Sequence, residues 1–127
     1  MYKMCFACGK DNPISLGLNF ESQENNKVKA VFTPLEEHQG YEGIVHGGIV
    51  STLLDEAMVT AIVAQGREAV TAELNIRFKE AIKIGEELHI IGTITMEKSK
   101  MVCTIGEIRN KEGKLKAKAE AKFILVD

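Results

Sequence analysis

The chain contains no tryptophan, two tyrosines and five phenylalanines, so aromatic residues are scarce. With so few rings to shape a ligand site, composition does not favour an aryl over an aliphatic ligand. Cysteine is limited to Cys5, Cys8 and Cys103. An odd count with two members close together argues against the disulfide framework of a small secreted domain. Charge of one sign is also lacking. Sixteen basic and eighteen acidic residues give a formal net charge of -2, so neither nucleic acid nor an anionic membrane is expected as partner. No tract of like charge, internal repeat or low-complexity segment occurs. Long apolar runs are absent, which excludes a membrane-spanning helix. The opening "MYKMCFACGKDNP" has no apolar core of a signal peptide, so a cytoplasmic protein is expected.

What is present fits one compact domain spanning 1–127, since 127 residues leave little room for a second. Apolar residues make up 45% of the chain, enough for an ordinary core. Residues 1–13 read as a loop, with Gly9 and "DNP" as turn chemistry. A first strand is predicted over "LGLNFES", a turn at Asn25 and Asn26, and a second strand over "KVKAVFTP". Residues 35–45 form a polar connection bearing Gly40 and Gly43.

The one long helix follows. Ile49, Val50, Leu53, Leu54, Ala57, Met58, Ala61 and Ile62 recur at helical spacing. Val59 and Val63 fall outside that face, so the helix is apolar most of the way round, as a buried helix is. Gly66 is its predicted stop. From residue 69 the period becomes two. Val70, Ala72, Leu74, Ile76 and Phe78 are predicted on one face, with Thr71, Glu73, Asn75, Arg77 and Lys79 on the other. Residues 87–97 alternate through Leu88, Ile90, Gly92, Ile94 and Met96. "KSK" is a tight turn, residues 101–109 alternate again, and "NKEGK" is a hairpin turn. In the last strand Leu115, Ala117, Ala119, Ala121, Phe123 and Leu125 share a face, and its small alanines imply close approach of the helix. Two strands, one helix and a four-stranded meander therefore make one antiparallel sheet with one helix to cover. The sheet must curl around that helix, and a second copy would cover the remainder and protect the sheet edges.

Two features of the helix carry chemistry. His46-Gly47-Gly48 stands at its start. Glycines there leave uncovered N–H groups, which lack intrahelical acceptors and lie at the positive dipole end. Such a place suits a carbonyl oxygen gaining negative charge. Asp55 and Glu56 lie further in, among apolar neighbours. A carboxylate on a buried helix is costly unless it is bonded, and desolvation raises its pKa towards that of a general base. The helical wheel puts Asp55 beside Ser51, Val59 and Ile62 and Glu56 nearer Thr52 and Thr60, and does not by itself choose between the two acids.

The run "HGGIVSTLLDEAM" resembles the signature of hotdog-fold acyl-CoA thioesterases, in the branch of the phenylacetate-pathway and thioesterase-superfamily proteins. That signature has His-Gly-Gly, an acid nine residues after the His and a small residue two further on, matched by His46, Gly47, Gly48, Asp55 and Ala57. "VTAELNIRFKEAI" is similar to the strand that follows in that family. The resemblance implies an α+β hotdog fold, a curved antiparallel sheet around one central helix, in a homodimer that pairs into a dimer of dimers. It implies thioester hydrolysis. The N–H of Gly47 or Gly48 would polarise the carbonyl, and Asp55 would attack it or activate water. Thr71 of a partner subunit would hold that water or the acid, while His46 shapes the turn. Relatives carry an Asn or Gln six residues before the His, and Gly40 stands there in this chain. The adjacent His38 and Gln39 are the available substitutes. An acyl tunnel would run past Met58, Val59 and Ile62, and Arg77, Lys79, Lys98 and Lys100 are the candidates to meet coenzyme A phosphates. No cofactor beyond the substrate's coenzyme A is implied. A non-hydrolytic acyl-CoA binder, a hydratase of the same fold and a plain dimerisation module are the rival functions.

Cys5 and Cys8 have the spacing of half a zinc site. Neither a second such pair nor a nearby His pair supplies the other half, so no metal is expected. A thioredoxin-like βαβ pattern is also missing, which argues against a redox pair. By resemblance the segment is a packed N-terminal loop near the acyl pocket. Cys103, in an alternating strand, is expected to be core or interface.

Overall fold

A computed structural model describes residues 2–127. The elements run β1 (Glu21–Gln23), β2 (Lys27–Phe32), a 3-10 turn (Glu36–His38), α1 (Gly47–Val63), β3 (Ala69–Phe78), β4 (Leu88–Lys98), β5 (Met101–Asn110) and β6 (Leu115–Leu125). All strands join one antiparallel sheet in the order β1-β2-β4-β5-β6-β3. The sheet curls around α1, which touches β2 through β6. This is the hotdog architecture. The predicted four-stranded meander is corrected: only β4, β5 and β6 follow one another in space, and β3 crosses to the far edge beside β6. With β2 and β3 on opposite sides of the β4–β6 block, α1 connects them across the sheet and becomes its core.

Local chemistry explains most boundaries. Asn25 and Asn26 both adopt φ 61° in the three-residue turn between the paired Gln23 and Lys27, a left-handed conformation that asparagine tolerates. Gly66, at φ +78°, follows the end of α1. The first strand is shorter than predicted. Leu16 and Leu18 instead donate their N–H groups to the carbonyls of Phe6 and Ala7, at 2.9 and 3.0 Å. Their partner is the N-terminal loop, and both side chains are buried.

The helix face is as its spacing predicts. Val50, Leu53, Leu54, Ala57, Met58, Ala61 and Ile62 are buried, with Ile49 half-buried. They pack on Leu88, Ile90, Val102, Ile108 and Phe123, and each large side chain withdrawn from water contributes about 1.5–3 kcal/mol. The alanines of β6 do line the helix side. The closest approach, however, is at a cross-strand glycine pair, Gly92 opposite Gly106. A Cβ on Gly92 would collide with the Ala57 carbonyl, and one on Gly106 would lie 3.2 Å from Leu54 and 3.3 Å from Met58.

Three register shifts break the alternation. One lies in β6, where Ile108 pairs with Ala117 and Arg109 with Leu115, so that Lys116 and Ala117 are both buried and Leu115 leaves its predicted face. In β3 the register shifts between Thr71 and Glu73, so that Thr71 pairs with Phe123 while Glu73 pairs with Lys122. Phe123 is buried under the helix. Thr71 is thus carried to the helix side, not to the outer side with Glu73, Asn75 and Arg77. In β4 a shift between Ile94 and Met96 turns Met96 outward, where it is 49% exposed. An extra residue reverses the alternation beyond it, which no count of twos anticipates.

Candidate active site

His46 is the N-cap of α1. Its extended backbone lets its carbonyl accept from the N–H groups of Ile49 and Val50, at 2.9 and 3.2 Å. Its ring Nδ1 accepts from the Gly48 N–H at 2.8 Å, which leaves the neutral ring's proton on Nε2. The Gly48 donor is therefore spent inside the protein. Among the described residues no acceptor meets the Gly47 N–H, so of the two glycines it is Gly47 that offers a donor. It lies at a cleft of about 250 Å³ lined by Ile44, Val50, Phe78 and Lys79.

The loop before the helix is closed on itself. Gln39 donates its amide to the Glu36 carbonyl at 2.8 Å and accepts from the Gly43 N–H. His38 Nδ1 accepts from the Leu35 N–H at 2.9 Å, and the ring lies 5.4 Å from that of Phe32. These bonds occupy Gln39 Oε1, one hydrogen of its amide nitrogen and His38 Nδ1, and leave the second amide hydrogen and His38 Nε2 as the remaining donors beside Gly40. Gly40 itself is pressed on the cap: a Cβ there would lie 3.2 Å from His46 Cα and 3.3 Å from its ring.

Asp55 projects from the middle of α1 towards β3. Its Oδ1 accepts a hydrogen bond from Thr71 Oγ1 at 2.8 Å. The bond forms within one chain, so Thr71 need not come from a partner. The β3 bulge is what makes it possible. Asp55 is half-buried in the single chain, and the burial expected of it falls on its neighbour. Glu56 is only 7% exposed. Burial pushes its carboxyl above the usual carboxylate range; a thiol hydrogen bond opposes this and the Asp55 charge adds to it. Cys5, Cys8 and Glu56 each place a ligand-type atom within 4.8 Å of the others. Burial, reinforced by Glu56 and Cys5, pushes the Cys8 thiol strongly up. Sequence spacing concealed this cluster, because residues 5 and 56 meet only through the N-terminal loop.

Other predicted contacts are redistributed. Met58 and Ile62 are fully buried against the sheet; Val59 alone of that trio is half-buried. Lys79 shares the cleft of Gly47, whereas Arg77 lies with Ile105, Glu107 and Lys118 on the outer sheet face. Lys98 and Lys100 flank the β4–β5 turn. Cys103 is half-buried on β5.

Across residues 42–117 the sequence matches the thioesterase superfamily profile. The chain belongs to this superfamily. It is 30% identical to human acyl-coenzyme A thioesterase 13 over 83 residues, 63% of this chain and 59% of that protein. It is 34% identical to mouse acyl-coenzyme A thioesterase THEM4 over 119 residues, 87% of this chain and 50% of that protein. The chain thus matches between half and three-fifths of the length of these relatives. The crystal structure of zebrafish thioesterase superfamily member 2 superposes with a TM-score of 0.81 at 28% identity, covering 93% of this chain and 87% of that one. Among the described residues no helix is long and apolar enough to cross a membrane.

Proposed function

We propose that this superfamily member is an acyl-CoA thioesterase, acting as a single hotdog domain in a homodimer. The observation that carries the reading is the Thr71–Asp55 hydrogen bond. It holds one carboxylate oxygen of Asp55 and leaves the other for the thioester carbonyl or for water. Gly47 supplies the complementary donor for the oxygen that gains charge. The two lie eight residues apart on one helix, about 12 Å along its axis. One chain cannot bring both to one carbonyl, whose reacting atoms must lie about 3–3.5 Å from their partners. A site built from Gly47 of one copy and Asp55 of another satisfies both. Edge strand β3, with Leu74 and Phe78 exposed, is where a second copy would dock. The acyl-CoA names of the curated relatives support the substrate class.

The test follows thiol release from a panel of acyl-CoAs of varied length and aryl character. Asp55→Asn is expected to lower kcat by about 10³-fold or more. Gly47→Pro removes one N–H at the first helical position, where proline is tolerated, and the extended His46 backbone already suits a following proline. It is expected to keep the helix and lose hydrolysis. Mixing the two inactive variants should restore activity, because one site of each mixed dimer is intact. Mixed dimers without activity would overturn the shared site. Saturable acyl-CoA binding without thiol release by the unaltered protein would favour a non-hydrolytic binder, the reading that Gly40 supports.

A further inference from the structure

The cluster of Cys5, Cys8 and Glu56 takes no part in that chemistry. Glu56, about 100° round α1 from Asp55, points away from the Thr71 contact and is covered by the N-terminal loop. Among the described residues it has no ion-pair partner. The Cys5 thiol donates to its Oε2 at 4.0 Å, and the Cys8 sulfur lies within 4.8 Å. A buried carboxylate whose neighbours are two thiols is left with poor donors. The groups share an affinity for a cation.

The loop that brings them together is tightly made. Gly9 donates to the Cys5 carbonyl at 2.7 Å, and a Cβ on Gly9 would collide with the backbone of Cys5 and Lys3. Asn12 ties the far side, donating to the Met4 carbonyl at 3.0 Å and accepting from the Ile14 N–H at 3.0 Å. Ala7 is buried. The loop therefore holds both sulfurs facing the helix.

We propose that Cys5, Cys8 and Glu56 bind a thiophilic divalent cation of the Zn²⁺ class, clasping the N-terminal loop to the central helix. Around a tetrahedral Zn²⁺ with bonds of about 2.0–2.3 Å, ligand atoms lie roughly 3.3–3.8 Å apart. The atoms here, all within 4.8 Å of one another, need only a small inward movement. Two thiolates and one carboxylate leave the complex with one net negative charge, and Lys3 and Lys10 line the adjoining cleft of about 600 Å³. Three protein ligands leave a fourth position for water. Thr60, one turn beyond Glu56, lines the same cleft, and its buried hydroxyl is without a hydrogen-bond partner among the described residues. It is placed to bond that water. Binding releases the ligands' protons to solvent, as thiolate and carboxylate ligation requires.

The reduced, chelator-treated protein is titrated with Co²⁺ alone. One Co²⁺ per chain is expected, with thiolate-to-metal charge-transfer bands and the visible bands of tetrahedral cobalt, displaced by Zn²⁺. Cys5→Ser, Cys8→Ser and Glu56→Gln should each weaken binding at least about tenfold. In the unaltered protein Zn²⁺ should shield Cys5 and Cys8, but not Cys103, from alkylation. No thiolate band, equal affinity in a folded Cys5→Ser/Cys8→Ser variant, or unprotected Cys5 and Cys8 would each overturn the proposal. These readouts do not involve thioester hydrolysis, so they stand or fall apart from the activity assay.

Discussion

Thr71 and His46 show how far single residues depend on their surroundings. Thr71 is an ordinary strand residue until the bulge turns it to the helix, where its hydroxyl meets Asp55 at 2.8 Å. A hydrogen bond to a charged group is worth about 1.5–3 kcal/mol. Thr71→Ala should therefore lower kcat about 10–100-fold, whereas Thr71→Ser, which keeps the hydroxyl, should retain most of it. Steady-state thiol release decides, and equal losses in the two variants would remove the hydroxyl from the site. His46 was expected to shape the helix entry, and it does so by capping Gly48. That cap also selects between the two glycines, a choice that "HGG" as a string leaves open. Glu56 is the residue whose role was least legible, since only the folded loop places Cys5 and Cys8 against it.

Among elements, α1 and its spacing were readable because a 3.6-residue period survives in the sequence wherever a helix face is buried. The Asn25–Asn26 turn was readable for the same kind of reason: its backbone has φ > 0 at both positions, which asparagine tolerates. The strand faces were readable only up to each bulge. Neighbour relations were not, because β3 crosses to the sheet's far edge through contacts that no local pattern encodes. Gly92 looked like one more small member of an alternating strand. In the fold it is where the helix backbone meets the sheet, with no room for a Cβ beside the Ala57 carbonyl. Gly92→Ala must push α1 outward against a close-packed core, costing about 3 kcal/mol, and should lower Tm by roughly 10 °C. Gly106→Ala, whose Cβ would meet only movable side chains at 3.2–3.4 Å, should cost less. Equal thermal shifts in the two would contradict this account of the contact.

For the molecule as a whole, the raised Glu56 carboxyl gives stability a pH dependence in the metal-free protein. The folded state holds the Glu56 proton more tightly than the unfolded chain, whose ordinary value is 4.5. This contribution is complete below that value and is lost as pH rises from it towards the folded value. With chelator present, Glu56→Gln should gain Tm over the unaltered protein as pH rises above about 4.5, and thermal unfolding curves that stay parallel would refute this. Mechanically, a rod lying on a curved surface can sink, slide or roll. The Gly92–Gly106 notch under Ala57, Leu54 and Met58 limits how far α1 sinks and where it slides. Roll is fixed by successive residues pulling about 100° apart, Asp55 to Thr71 on one flank and Glu56 to the cysteine loop on the other. No roll can keep one contact and release the other, so the two acids act as paired stays on a single mast.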